Sequence, residues 1–126
     1  MPVRIRLPRL EDWKATSGLW KLADFQNNGA LVAGSGTKDW QKIDFLRQEV
    51  EFRIGDRIRK AKGAHSYGNP FRLMTWLVAH AARHGMGLRA GDVVTTGAWT
   101  GLEIAKPGDE VTARFPGIGE ATVRIL

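Results

Sequence analysis

The chain has 126 residues, of which 43% are hydrophobic and 25% charged, with a formal net charge of +6 and a pI near 10.2. Those values describe one globular domain, residues 1–126, and exclude a disordered or low-complexity chain. The absence of cysteine excludes disulfides, thiolate metal sites and cysteine nucleophiles.

Val3, Ile5 and Leu7 alternate with Arg4 and Arg6, the period of a strand with one wet face, and Pro8 is placed to end it. This N-terminus has no apolar h-region, so it reads as neither a signal peptide nor a membrane span, and a cytoplasmic location is expected. Leu19, Trp20, Leu22, Ala23 and Phe25 suit a short helix within 16–28, with Ser17 as its cap. Asn28-Gly29 marks a turn, and 30–33 is a compact strand ended by Gly34-Ser35-Gly36. Asp39-Trp40 falls in a connection. From 45 to 59, Leu46, Val50, Phe52 and Ile54 point one way and Arg47, Glu49, Glu51 and Arg53 the other, with Gly55-Asp56 reversing the chain, which predicts a hairpin.

Asn69 is an N-cap and Pro70 stands at the first helical position, where its missing N–H costs nothing. Phe71, Met74, Leu77, Val78, Ala81 and Ala82 then form an apolar stripe that predicts burial against a sheet, with Gly85 or Gly87 at the stop. Gly91-Asp92 turns the chain into the β-branched run Val93-Val94-Thr95-Thr96, which predicts an interior strand closed by Gly97. Two further strands alternate through 109–115 and 120–126, with Val111, Ala113 and Phe115 on one face and a turn at Pro116-Gly117. Five or more strands, many of them antiparallel, with two helices packed on them predict an α+β fold.

The pattern G-N-P-x4-T-W-L from Gly68, followed by G-x-x-L-R-A-G-D-V-V-T-T-G-A-x-T-G from Gly85, resembles the C-terminal part of the 2-keto-4-pentenoate hydratase family, within the fumarylacetoacetate hydrolase superfamily. The stretches from Asp24 to Gly34 and from Pro107 to Gly119 extend the likeness, which covers most of the chain. The resemblance implies a mixed, largely antiparallel β-roll with its active site at the open end, here lacking the larger N-terminal half. It also implies carbon–oxygen lyase chemistry on a 2-oxo acid, with a divalent cation polarising the oxo-carboxylate.

Such a cation, Mg²⁺ or Mn²⁺, needs carboxylate ligands, and the family supplies a Glu-x-Glu pair and a third acid. The one Glu-x-Glu here, Glu49-Val50-Glu51, falls on the wet face of the hairpin. Arg4 aligns with the third acid, and a guanidinium repels a cation. The chain alone therefore carries no complete metal site, and Mg²⁺ or Mn²⁺ is expected only where a partner chain bearing the N-terminal half completes it. His80 and His84 are spaced as a zinc chelate but lack a third ligand, so they read as polar-face residues. No catalytic residue is identified.

Retained binding is expected at Thr95, Thr96, Gly97 and Thr100, where hydroxyls and glycine N–H groups can receive a carboxylate. Asn69 and His65 in the preceding Gly-flanked loop are the other candidate contacts. Partners follow from the same features. A small 2-oxo or dicarboxylic acid suits the Thr-Gly loop, and a homo-oligomer would cover the apolar surface of a domain cut from a larger roll, including some of the five tryptophans. Alternatives are a non-catalytic ligand-binding or oligomerisation module and, because of the +6 charge, an anion- or nucleic-acid-binding protein. The densest basic run, 57–62, is interrupted by Ile58 and Ala61 and reads as a solvated strand edge, so nucleic acid is the weaker partner.

Overall fold

A computed structural model describes residues 2–7, 9 and 11–126, except the side chain of Pro2. Six strands, β1 (Pro2–Arg6), β2 (Asn28–Ala33), β3 (Glu49–Ile54), β4 (Arg57–Lys62), β5 (Glu110–Phe115) and β6 (Gly119–Arg124), join two helices, α1 (Gly18–Ala23) and α2 (Phe71–Arg83). The strands form an antiparallel ribbon, β1-β2, and an antiparallel four-stranded sheet ordered β4-β3-β5-β6. The architecture is α+β, as the sequence predicts. Pro8, expected to end the first strand, lies outside the described residues.

The hairpin falls where alternation places it. Glu49 faces Lys62 and Glu51 faces Lys60 across the ladder, with Gly55 at φ +52 making the reversal. Val50 and Ile54 are buried, and on the neighbouring β5 so are Val111, Ala113 and Phe115, all at alternate positions. Ala121 of β6 completes this narrow core. Three hydrogen bonds fasten the ribbon to β6 of the sheet. Ser35 N–H and Oγ–H both donate to Glu120 O, at 2.8 and 3.2 Å, and Glu120 N–H returns to Ser35 Oγ at 2.9 Å. Gly34 permits that approach, since a Cβ there would lie 2.5 Å from Ala121 Cβ and inside contact with Glu120 O.

The expected helix within 16–28 is confined to Gly18–Ala23, and Ser17 makes no side-chain cap bond. A 3₁₀ turn follows at Phe25–Asn27, in which all three residues are left-handed, with φ of 49°, 53° and 58°. Non-glycine residues pay about 1–2 kcal/mol each for that conformation, and neither Phe25 nor Gln26 has the short polar side chain that eases it. Asn27 is buried, with Oδ1 unpartnered among the described residues.

Helix α2 begins as its residues dictate. Asn69 Oδ1 accepts Phe71 N–H at 2.9 Å and Pro70 already has helical φ and ψ. It ends in a Schellman arrangement: Gly85 at φ +70 donates to Ala82 O and Met86 N–H to Ala81 O. Its apolar stripe is not buried as expected. Ala81 alone is fully covered, Met74 and Leu77 are half-buried, and Phe71 and Val78 are exposed. The narrow sheet face is occupied by small alanines and by Phe115, against which Trp99 packs edge-on. At its first turn helix α2 meets aromatic rings from outside the helix, where Phe71 stacks on Trp40 at 4.7 Å and meets Phe45 edge-on at 5.2 Å.

The interior strand expected at 93–96 is a second departure. The segment carries no ladder, and Val93 is 54% exposed. No neighbouring strand pairs with it among the described residues, and β-branched residues favour a strand only against a surface that accepts them. None of the five tryptophans is fully buried, and Trp20, Trp40 and Trp76 are exposed. No helix is long and apolar enough to cross a membrane among the described residues.

Candidate functional site

The Gly63–Gly68 loop leaves β4 through Gly63 at φ +57, whose N–H donates to Gln48 O at 2.9 Å. A turn closes between His65 O and Gly68 N–H and carries the His65 ring inward, where the residue is only 5% exposed. Nδ1 accepts Tyr67 N–H at 3.2 Å, which leaves Nε2 to carry the proton and donate to Thr96 O at 2.9 Å. Both ring nitrogens are thus satisfied in one neutral tautomer. His65 ties two loops together that are 31 residues apart in sequence.

Gly97 follows at φ +128, a conformation that suits glycine, and a Cβ there would sit 3.3 Å from His65 Nε2. The Trp99 ring tilts against His65 at 5.4 Å and meets Phe115 edge-on at 5.4 Å. The loop continues beside the hairpin. Arg59 Nη1 donates to Thr100 O at 3.2 Å and pairs with Glu103 at 2.8 Å, and Arg57 Nη2 donates to Ile104 O at 2.7 Å. Two arginines on β4 therefore hold the 100–104 backbone in place of a strand ladder.

Of the residues singled out from sequence, His65, Thr96 and Gly97 are brought into direct contact. Thr100 is held through its carbonyl, and Thr95 is exposed. The hydroxyls of Thr95, Thr96 and Thr100 make no hydrogen bond among the described residues, which leaves three donors available to an anion. Asn69 is engaged in capping α2. The role of His65 as a tie, and of Arg57 and Arg59 as anchors, was not visible in sequence, because a histidine in a Gly-flanked loop and basic residues on a strand edge carry no local sign of their distant partners.

The acidic pair has another occupation. Glu51 binds Lys60 at 2.9 Å and Glu49 lies 3.5 Å from Lys62. The Lys60 hydrogen bond, then the Lys60 charge, hold the Glu51 carboxyl below the ordinary glutamate range; partial burial opposes them, and Arg53 and Arg114 add smaller pulls. His80 and His84 lie on the exposed side of α2, their rings 4.4 Å apart, with Trp76 stacked on His80 at 4.7 Å. No group of three or more His, Cys, Asp or Glu side chains is arranged to hold a metal among the described residues. Arg4, the residue expected to repel a cation, donates from Nε to Asn28 Oδ1 at 3.2 Å. These donors do not fit a hard divalent cation.

A family model described as fumarylacetoacetate (FAA) hydrolase C-terminal matches residues 20–126. The chain is 30% identical over 115 residues to 2-keto-4-pentenoate hydratase 1 of Dechloromonas aromatica, covering 90% of this chain and 43% of that protein. It is 30% identical over 112 residues to 2-keto-4-pentenoate hydratase of Paraburkholderia xenovorans, covering 88% and 41%. To 4-oxalocrotonate decarboxylase of Pseudomonas putida it is 24% identical over 106 residues, covering 83% and 40%. The chain spans about two fifths of the length of these curated relatives.

Proposed function

Because the chain belongs to the fumarylacetoacetate hydrolase C-terminal family, we propose that it is a hydratase-like protein that binds a small 2-oxo or dicarboxylic acid at the Thr95–Thr100 loop. The observation that carries this reading is the tethered loop itself. His65 fixes Thr96 O, Gly97 opens the backbone, and the three threonine hydroxyls make no hydrogen bond among the described residues. A backbone held at Thr96 O and Thr100 O lowers the ordering cost of receiving a carboxylate there. Trp99 closes one side against Phe115.

In this reading the ribbon and the sheet form part of a β-roll, whose remaining wall is supplied by residues outside this chain, on the same or a second polypeptide. Turnover, a hydration through a metal-stabilised enolate, would need that wall to bring the carboxylates this chain lacks. Mg²⁺ or Mn²⁺ would supply Lewis-acid polarisation of the oxo-carboxylate there. The part played by this chain's own residues is to hold the acid group and to shield it with Trp99. A homo-oligomer would cover the apolar residues exposed on α1 and α2, such as Leu19, Trp20, Trp76 and Val78.

A second reading, a non-catalytic binding module, is favoured by one observation: both ring nitrogens of His65 are already engaged, so the buried imidazole is not a free base. Isothermal titration with oxalate, a mimic of an enolised 2-oxo acid, separates the two. Saturable oxalate binding without metal, weakened about tenfold by Thr95→Val with Thr100→Val, is the expected result, a change of about 1.4 kcal/mol. Tight Mg²⁺ or Mn²⁺ binding strengthened by oxalate would show a complete metal site and overturn the donor-set argument. Oxalate binding untouched by the double substitution would remove the loop from the site.

A further inference from the structure

The three histidines of the chain are spent differently. His65 is buried and gives both ring nitrogens to the loops it joins. His80 and His84 are exposed at the C-terminal end of α2, and their four ring nitrogens make no hydrogen bond or ion pair among the described residues. Imidazole is the commonest protein ligand for metals, so this pair is a donor set with no structural duty of its own.

Residues four apart on a helix stand one turn above another on the same face. Trp76, His80 and His84 continue that spacing as one ladder. The Trp76 ring lies nearly parallel to His80, at 13° and 4.7 Å between ring centres, and His84 follows at 4.4 Å and 32°. The indole thus braces the first imidazole on one side. The backbone of the second is fixed by the helix stop, because His84 N–H donates to Ala81 O at 3.1 Å and the bonds of Gly85 and Met86 close directly after it. Donors held beforehand lower the ordering cost of binding. An ion bonded to each imidazole at about 2.0–2.1 Å spans nitrogens up to about 4 Å apart, which rings 4.4 Å apart meet with a small rotation. Arg83, the adjoining cation, is exposed, and like charges at the surface oppose one another weakly across water.

We propose that His80 and His84 form a two-point chelate for a borderline divalent transition cation of the Ni²⁺, Cu²⁺ and Zn²⁺ class, with water in the remaining positions. Imidazole nitrogen suits these ions, whereas Mg²⁺ takes oxygen ligands. Two protein ligands leave the centre open, unlike a structural zinc site closed by four. The site shares no residue with the Thr95–Thr100 loop and does not rest on the reading given for that loop.

Titration of the full chain, carrying no histidine tag, with nickel chloride tests this, read by calorimetry and by paramagnetic broadening of amide and indole N–H resonances. The expected result is one saturable event that removes the Trp76 indole signal and the amide signals of His80, Arg83 and His84 before those around His65, while magnesium chloride leaves them unchanged. His80→Gln and His84→Gln should each weaken binding at least about tenfold, since each turns a linked pair into a single ligand. Nickel should also raise the melting temperature of the unmodified chain and not of either variant, because an ion bound only by the folded helix stabilises it. Unchanged affinity in either folded variant would overturn the chelate. So would broadening centred on His65 or spread over the carboxylates, or an equal response to magnesium. Should a variant fail to fold, the position of the broadening in the unmodified chain decides the question.

Discussion

Gly34→Ala should cut the ribbon from the sheet. The new methyl would fall inside contact with Glu120 O and 2.5 Å from Ala121 Cβ, and the obstructing atoms are backbone and a short core side chain that cannot swing aside. Gly34 must therefore move off β6 and take Ser35 with it. Three hydrogen bonds are lost there, each worth about 1 kcal/mol net, and simple overpacking would cost about 1–3 kcal/mol. The two routes bracket a loss of roughly 1–3 kcal/mol, a fall of up to about 10 °C in the melting temperature of a domain this size. Gly36→Ala is the control, because a Cβ there meets nothing within 4 Å, and it should change stability by less than about 1 kcal/mol. Hydrogen exchange locates the effect: a lone two-stranded ribbon is marginal in water, so the β1–β2 amides should lose protection before those of β3 and β5. If Gly34→Ala melts with the Gly36→Ala protein and keeps that protection, the Ser35–Glu120 clasp does not join the two sheets.

His65→Ala removes the link between the 63–68 and 95–100 loops and leaves Thr96 O and Tyr67 N–H without partners; a loss of about 2–3 kcal/mol is expected. The Gly97 and Trp99 amides should exchange faster, and unchanged exchange at both would refute the tie. Glu51, whose carboxyl is held low chiefly by Lys60, should titrate in carbon-detected NMR below the ordinary glutamate range. Because the folded value lies below the unfolded one, its contribution to stability is complete above the unfolded value and disappears as pH falls through the folded value. Glu51→Gln should flatten that part of the acid limb, and an unaltered pH dependence there would show that the Lys60 contact is not maintained in solution.

Where local chemistry is sufficient, the sequence was legible. The Asn69-Pro70 start and Gly85 stop of α2 and the alternation of β3 and β5 rest on residues that satisfy their neighbours, and each appears where expected. A short helix was legible at α1, but its stop at Ala23 and the left-handed turn were not, since Arg4 and Arg6 of β1, and Arg9 beyond it, hold that segment from 15 to 22 residues away. The Thr-Gly loop was recognisable as a motif, but its attachment to His65 depends on one contact across 31 residues. No spacing rule encodes such a contact.

The two failed burial expectations share a cause. Val93–Thr96 has the residues of a strand and α2 the stripe of a packed helix, yet the first has no ladder and the second leaves Trp76 63% and Val78 52% exposed. Propensity of this kind records fit to a surface rather than an intrinsic preference, and a foldable sequence keeps its local choices consistent with its full tertiary context. The relatives that match this chain run to more than twice the matched length. The unmet strand, the uncovered helix face and the carboxylate-poor loop thus point to one requirement. On the proposed reading, that requirement is a surface beyond these residues that offers a strand edge and an apolar cover. The β4 arginines that now hold the 100–104 backbone show how this chain steadies that region by itself.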